Sequence, residues 1–137
     1  MKKLIGALVL TASFAVPSAN AVFVGTITAG VPFQVTVDAA TANSGLTATM
    51  VTAVKRGKLV VLGTLLTPTA GSSQTMLTAP RNVERIIIGM DVPTSGTSIV
   101  RLDQGTTHFD DFITVSGACC GNSTPAHGEW VFSVVAP

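Results

Sequence analysis

The chemically richest residues in this chain are two adjacent cysteines, Cys119 and Cys120, in the stretch Gly117-Ala118-Cys119-Cys120-Gly121, followed seven residues later by His127. Adjacent Cα atoms lie about 3.8 Å apart across a trans peptide, below the roughly 4.4–6.8 Å of ordinary disulfides. A vicinal Cys119–Cys120 disulfide would therefore be a strained eight-membered ring that stiffens its loop and is easily reduced. Bonds to other chains and free thiols are the alternatives. The same five residues also spell the nucleophile elbow G-x-C-x-G, with His127 as a conceivable base. That elbow needs a helix directly after it to hold an oxyanion on backbone amides, and Asn122 to Gly128 is too short and too broken by Pro125 and Gly128 to form one. Zinc ligation by Cys119, Cys120 and His127 fails on spacing, since paired thiolates are usually separated by two to four residues. Asn122-Ser123-Thr124 is a glycosylation sequon only if the host is a eukaryote.

A second polar group comprises His108, Asp110 and Asp111, with Asp103 close in sequence. Carboxylates gathered before a strand could offer oxygens to calcium, but calcium takes six to eight of them. No D-x-D-x-D-G loop is present, and the cluster reads as a solvated turn. With two His, no Tyr and no carboxylate pair in an aromatic setting, the chain lacks a catalytic set. Neither an enzyme nor a resident cofactor or metal is expected.

The elements around these residues begin with an export signal. Lys2 and Lys3 precede an apolar run from Leu4 to Val16, and Ala19-Asn20-Ala21 is a small-residue cleavage site. Thirteen apolar residues fall short of the roughly 20 that span a bilayer, so residues 1–21 read as a signal peptide and the mature chain is expected to begin at Val22. The short Lys-Lys start suggests a bacterial host, and hence the periplasm, the cell surface or the medium. No second membrane anchor is visible in the sequence.

Residues 22–137 carry six basic and seven acidic side chains, a balance that offers no footprint for nucleic acid or an anionic membrane. Charged residues are only 11% of the chain, well under the roughly 25% of ordinary soluble domains. Polarity comes instead from Thr, eighteen of which lie in residues 22–137. Thr and Val pack well on a pleated surface and lose rotamer freedom in helices, so the composition favours strands.

Periodicity agrees. Phe33, Val35 and Val37 alternate with Gln34, Thr36 and Asp38, and Leu46–Val54 meets Lys58–Leu66 across Lys55-Arg56-Gly57 as a hairpin. Further strands are expected at Val22–Thr28, Thr75–Thr78, Arg85–Val92, Ser98–Asp103, Asp111–Ser116 and Glu129–Ala136. Eight or nine short strands and no helical period predict one all-β domain over residues 22–137, an antiparallel β-sandwich of jelly-roll-like or immunoglobulin-like type.

One feature departs from a simple sandwich, in which each sheet has a polar outer face. From Leu59 to Leu66 both alternating sets are apolar, and Ile86–Ile88 and Trp130–Val135 nearly repeat this. Either loops cover these strands or part of the outside is buried against another chain. The free β-prone end at Val22–Thr28 could likewise pair with its own sheet or with a neighbour's edge. These features predict an exported, non-catalytic protein that acts through its surface as an adhesion, coat or assembly component, by self-association or with a protein partner. A small module for binding carbohydrate or calcium is the alternative.

Overall fold

A computed structural model of the chain describes residues 21–39, 46–68, 70–92, 96–115 and 126–137. Nine strands make up almost all of these: β1 (Ala21–Thr28), β2 (Pro32–Ala39), β3 (Thr47–Lys55), β4 (Lys58–Thr67), β5 (Ser72–Thr78), β6 (Arg85–Val92), β7 (Gly96–Gln104), β8 (Thr107–Val115) and β9 (Ala126–Val135). They form a five-stranded sheet in the order β1-β9-β6-β3-β4 and a four-stranded sheet in the order β5-β2-β7-β8. The two pack as a sandwich.

Local chemistry explains the turns. Lys55 and Lys58 pair at the end of the β3–β4 hairpin, and the two residues between them, Arg56 and Gly57, both have positive φ, 52° and 74°. Such a two-residue turn matches the twist of the strands it joins, and Gly57 takes its share without steric cost. Gly105, also at positive φ, helps to close β7 onto β8.

The core lies between the sheets. Phe33, Val35 and Val37 of β2 and Val100 and Leu102 of β7 face Val51, Ala53, Ile86, Ile88, Met90 and Phe132 from the other sheet, all fully buried. Phe109 of β8 meets the Phe132 ring edge-on at 5.4 Å and Trp130 at 6.5 Å. Asp111 Oδ2 accepts the Trp130 indole N–H at 2.8 Å.

The structure corrects the expectations in three places. The sandwich is not wholly antiparallel, because β1 runs parallel to β9. Val22–Thr28 takes the first of the two pairings open to it, as an edge strand in the sheet of its own chain. Its second half is held firmly. Ile27 is 1% exposed, and the buried Gln104 accepts Thr28 N–H at 2.7 Å while donating to the carbonyls of Thr28 and Val31 at 3.0 and 2.9 Å. A buried amide satisfied in this way fastens β1 to the end of β7.

The second correction concerns His108, Asp110 and Asp111. They lie inside β8 and not in a turn before it. Thr107, Phe109, Asp111, Ile113 and Val115 form the inward set, and Asp111 broke the apolar alternation because its partner is an indole. Third, β9 begins at Ala126 rather than Glu129. Cys119 and Cys120, with the possible vicinal disulfide between them, lie outside the described residues.

Because β1 is held mainly through Ile27, Ile27→Ala should cost about 2–5 kcal/mol. Val22→Ala, at a half-exposed site on the same strand, should stay within about 0.5 kcal/mol. Urea unfolding of both variants checks this; equal losses would contradict the account of how β1 is held.

Candidate functional site

The doubly apolar strands sit side by side in the five-stranded sheet. Strict alternation in β4 would put Leu59, Val61, Gly63 and Leu65 on one face. A bulge intervenes: Val51 pairs with Gly63 and Thr52 with Val61, leaving Leu62 without a partner. Two residues now oppose one and the alternation is reset. Leu62, Gly63 and Leu65 therefore turn inward, where Gly63 lies close against Leu77 of β5. Leu59, Val61, Thr64 and Leu66 face out.

Cross-strand register continues this outer face. Ala48, Met50, Thr52 and Val54 of β3 lie beside Asp91, Gly89, Ile87 and Arg85 of β6, which in turn flank His127, Glu129, Val131 and Ser133 of β9. Val54, Ile87 and Val131 form a small second cluster here, flanked by Ala21 and Leu59. Above it stand exposed apolar side chains: Met50 at 47%, Val61 at 57% and Leu66 at 61%. Thr52, by contrast, is recessed and donates its hydroxyl to the Ile87 carbonyl at 3.4 Å. Together these residues shape a trough of about 490 Å³, bounded at one end by Asp91, His127 and Glu129.

At that end, His127 is held from both sides. Its Nδ1 is 2.6 Å from Asp91 Oδ1 and its Nε2 is 2.8 Å from Glu129 Oε2. Both contacts are hydrogen bonds only when both ring nitrogens carry protons, so the pair of carboxylates favours imidazolium. Partial burial opposes the charge and is the largest single effect. The hydrogen bonds and charges of Glu129 and Asp91 together outweigh it, and the pKa is raised above the ordinary 6.5. With neither nitrogen free to take a proton from a substrate, this is a poor general base.

The opposite outer face, on the four-stranded sheet, is mainly polar. Arg101 pairs with Asp38, and the Gln34 amide donates to Gln74 at 2.7 Å. Of the polar cluster expected from the sequence, His108 joins Asp103 through Nδ1 and approaches Asp110 at 3.5 Å through Nε2. Its pKa is raised, chiefly by the hydrogen bond to Asp103. Asp111 does not join them, since it points inward to Trp130 and also accepts the Phe112 N–H at 2.8 Å. Among the described residues, no three His, Cys, Asp or Glu side chains are arranged to hold a metal ion.

The Asp91–His127–Glu129 group had no signature in the sequence, where 36 residues separate Asp91 from His127. The i, i+2 spacing of His127 and Glu129 was readable as one face of a strand; the third member needed the β6–β9 register. Comparison with protein-family models, curated proteins and solved structures finds no match.

The His127 arrangement has a consequence for pH dependence. A raised folded pKa means that the stabilisation is fully present below the unfolded value of about 6.5 and is lost as pH rises through the folded value. His127→Gln should therefore lose less stability than the wild type between pH 5.5 and 8.5. In an NMR titration the His127 ring should titrate above 6.5, and a midpoint at or below that value would contradict the geometry.

Proposed function

We propose that this protein is an exported, non-catalytic assembly component, delivered to the periplasm, cell surface or medium by residues 1–21. Its working surface is the outer face of the five-stranded sheet. The observation that carries this reading is the concentration of projecting Met50, Val61 and Leu66 over the buried Val54, Ile87 and Val131, on the face that a simple sandwich would leave polar. A contiguous exposed apolar patch on a small domain marks an interaction site. The face offers this surface on strands hydrogen-bonded in one sheet, so seating a partner there costs little ordering entropy. The five-and-four split of strands also favours the immunoglobulin-like type of sandwich over an eight-stranded jelly roll.

The trough supports a second reading. Its volume lies within the roughly 300–1,000 Å³ of small-ligand sites, and an apolar floor with the polar Asp91–His127–Glu129 group at one end suits an amphiphile. Carbohydrate is disfavoured at this place, because none of the described trough-lining residues is Phe, Tyr or Trp.

Val61→Asp tests the main reading. A charge at this exposed position of the edge strand β4 should abolish association, as read by light scattering after size exclusion, while leaving the unfolding free energy within about 0.5 kcal/mol of wild type. Association that is unchanged in this variant would refute the face as the working surface.

A further inference from the structure

Charge is unevenly distributed along the five-stranded sheet, and the two ends of its outer face carry opposite signs. At one end lies Asp91, paired with His127, and Glu129 reaches His127 from two residues further along β9, opposite Gly89. At the other, six residues along β6, Arg85 pairs in register with Val54; Lys55 and Lys58, one residue beyond the outward Val54 and Leu59, project to the opposite side of the sheet. Glu84 partly offsets this end, its Oε1 accepting the Arg56 N–H at 3.2 Å. Arg85 makes no side-chain hydrogen bond or ion pair with another described residue. Between the two ends the face is apolar except for Thr52, Thr64 and Glu129.

Resting on the reading above, we infer that the occupant of this face is a second copy of the same chain, packed face to face about a two-fold axis that crosses the strands at the level of Val51 and Ile88. Two sheets can face one another symmetrically only if the axis lies in the interface. An axis along β6 superposes like ends, setting Asp91 against Asp91 and Arg85 against Arg85 of the other copy. An axis across the strands inverts the direction and sets acidic ends on basic ones. Like charges across an interface are strongly disfavoured, so the second orientation is selected.

The residue pattern fits that operation. Because Ala48 pairs with Asp91 and Val54 with Arg85, inversion about Val51 and Ile88 brings Arg85 of each copy over Asp91 of the other. It also places projecting Met50 over recessed Thr52, and exposed Val61 over Thr64. Large residues thus meet small or recessed ones in both directions, the self-complementarity that an isologous interface requires. Five strands about 4.8 Å apart and about eight residues long give a plan area of roughly 600 Å², of which Val54, Ile87 and Val131 are already buried within the single chain. Side-chain relief adds to this, against the roughly 800 Å² per partner of a standard interface.

Sedimentation equilibrium of the purified protein and of Arg85→Glu, Asp91→Arg and Val61→Asp tests the arrangement. Wild type should be a dimer and Val61→Asp a monomer. Each charge reversal alone places two repulsive contacts in its homodimer and should weaken association at least tenfold. An equimolar mixture of Arg85→Glu and Asp91→Arg has one native and one reversed attractive contact, and should recover to within about threefold of wild type. That recovery also shows that both variants are folded. If single reversals weaken the dimer and mixing does not restore it, the two-fold arrangement is wrong while the working surface stands. A wild-type monomer that binds an apolar fluorescent probe, with the probe lost in Val61→Asp, likewise refutes the second copy and leaves the surface reading intact. Dimerisation unaffected by Val61→Asp overturns both.

Discussion

The contact between the two inner sheet faces fixes everything else in this molecule. Phe33, Val35 and Val37 on one side and Ile86, Ile88 and Phe132 on the other are fully buried against each other, and successive side chains of a strand must point to opposite faces. Once Ile86 and Ile88 are inside, Arg85, Ile87, Gly89 and Asp91 are outside. Once Trp130 and Phe132 are inside, Glu129, Val131 and Ser133 are outside. The outer face is thus a consequence of the core, and its apolar content is an excess that core formation does not explain.

The two outer faces show what an ordinary surface would look like. On the four-stranded sheet, Gln34, Asp38, Gln74 and Arg101 are paired with one another, and the charge of Asp38 is stabilised by a Ser72 hydrogen bond and by Arg101, which lower its pKa. The charges of that face are satisfied by its own residues, and Met76 and Phe112 project from it singly. On the five-stranded sheet, Asp91 and Arg85 stand at opposite ends of β6 and Met50, Val61 and Leu66 project from the neighbouring β3 and β4. Such a layout supplies burial in the middle and orientation at the rim, the division of labour found in protein interfaces.

Much of the fold was legible in the sequence because periodicity and turn chemistry are local. The nine strands, the Lys55-Arg56-Gly57-Lys58 turn and the excess of apolar residues from Leu59 to Leu66 could all be read without tertiary information. What could not be read depended on register. The bulge at Leu62 reassigns Leu66 from the side of Val60 and Leu62 to that of Leu59 and Val61. The parallel pairing of β1 with β9 brings together the two ends of the domain. The Asp91–His127 contact exists only because Asp91 and His127 are opposed across two strands. Asp111 misled for a related reason: a carboxylate at an inward position resembles a turn residue until the Trp130 indole opposite it is known.

The claim that the outer face of the five-stranded sheet is where this protein meets its partner can be measured on the methyl groups themselves. In NMR spectra recorded with a soluble paramagnetic probe, the Met50, Val61 and Leu66 methyls should be broadened at low protein concentration and become protected as concentration rises. The Met76 methyl, exposed on the other sheet, should stay broadened throughout. Protection of Met76 in place of Met50 and Val61, or no change at either face across the range in which the protein associates, would contradict the account.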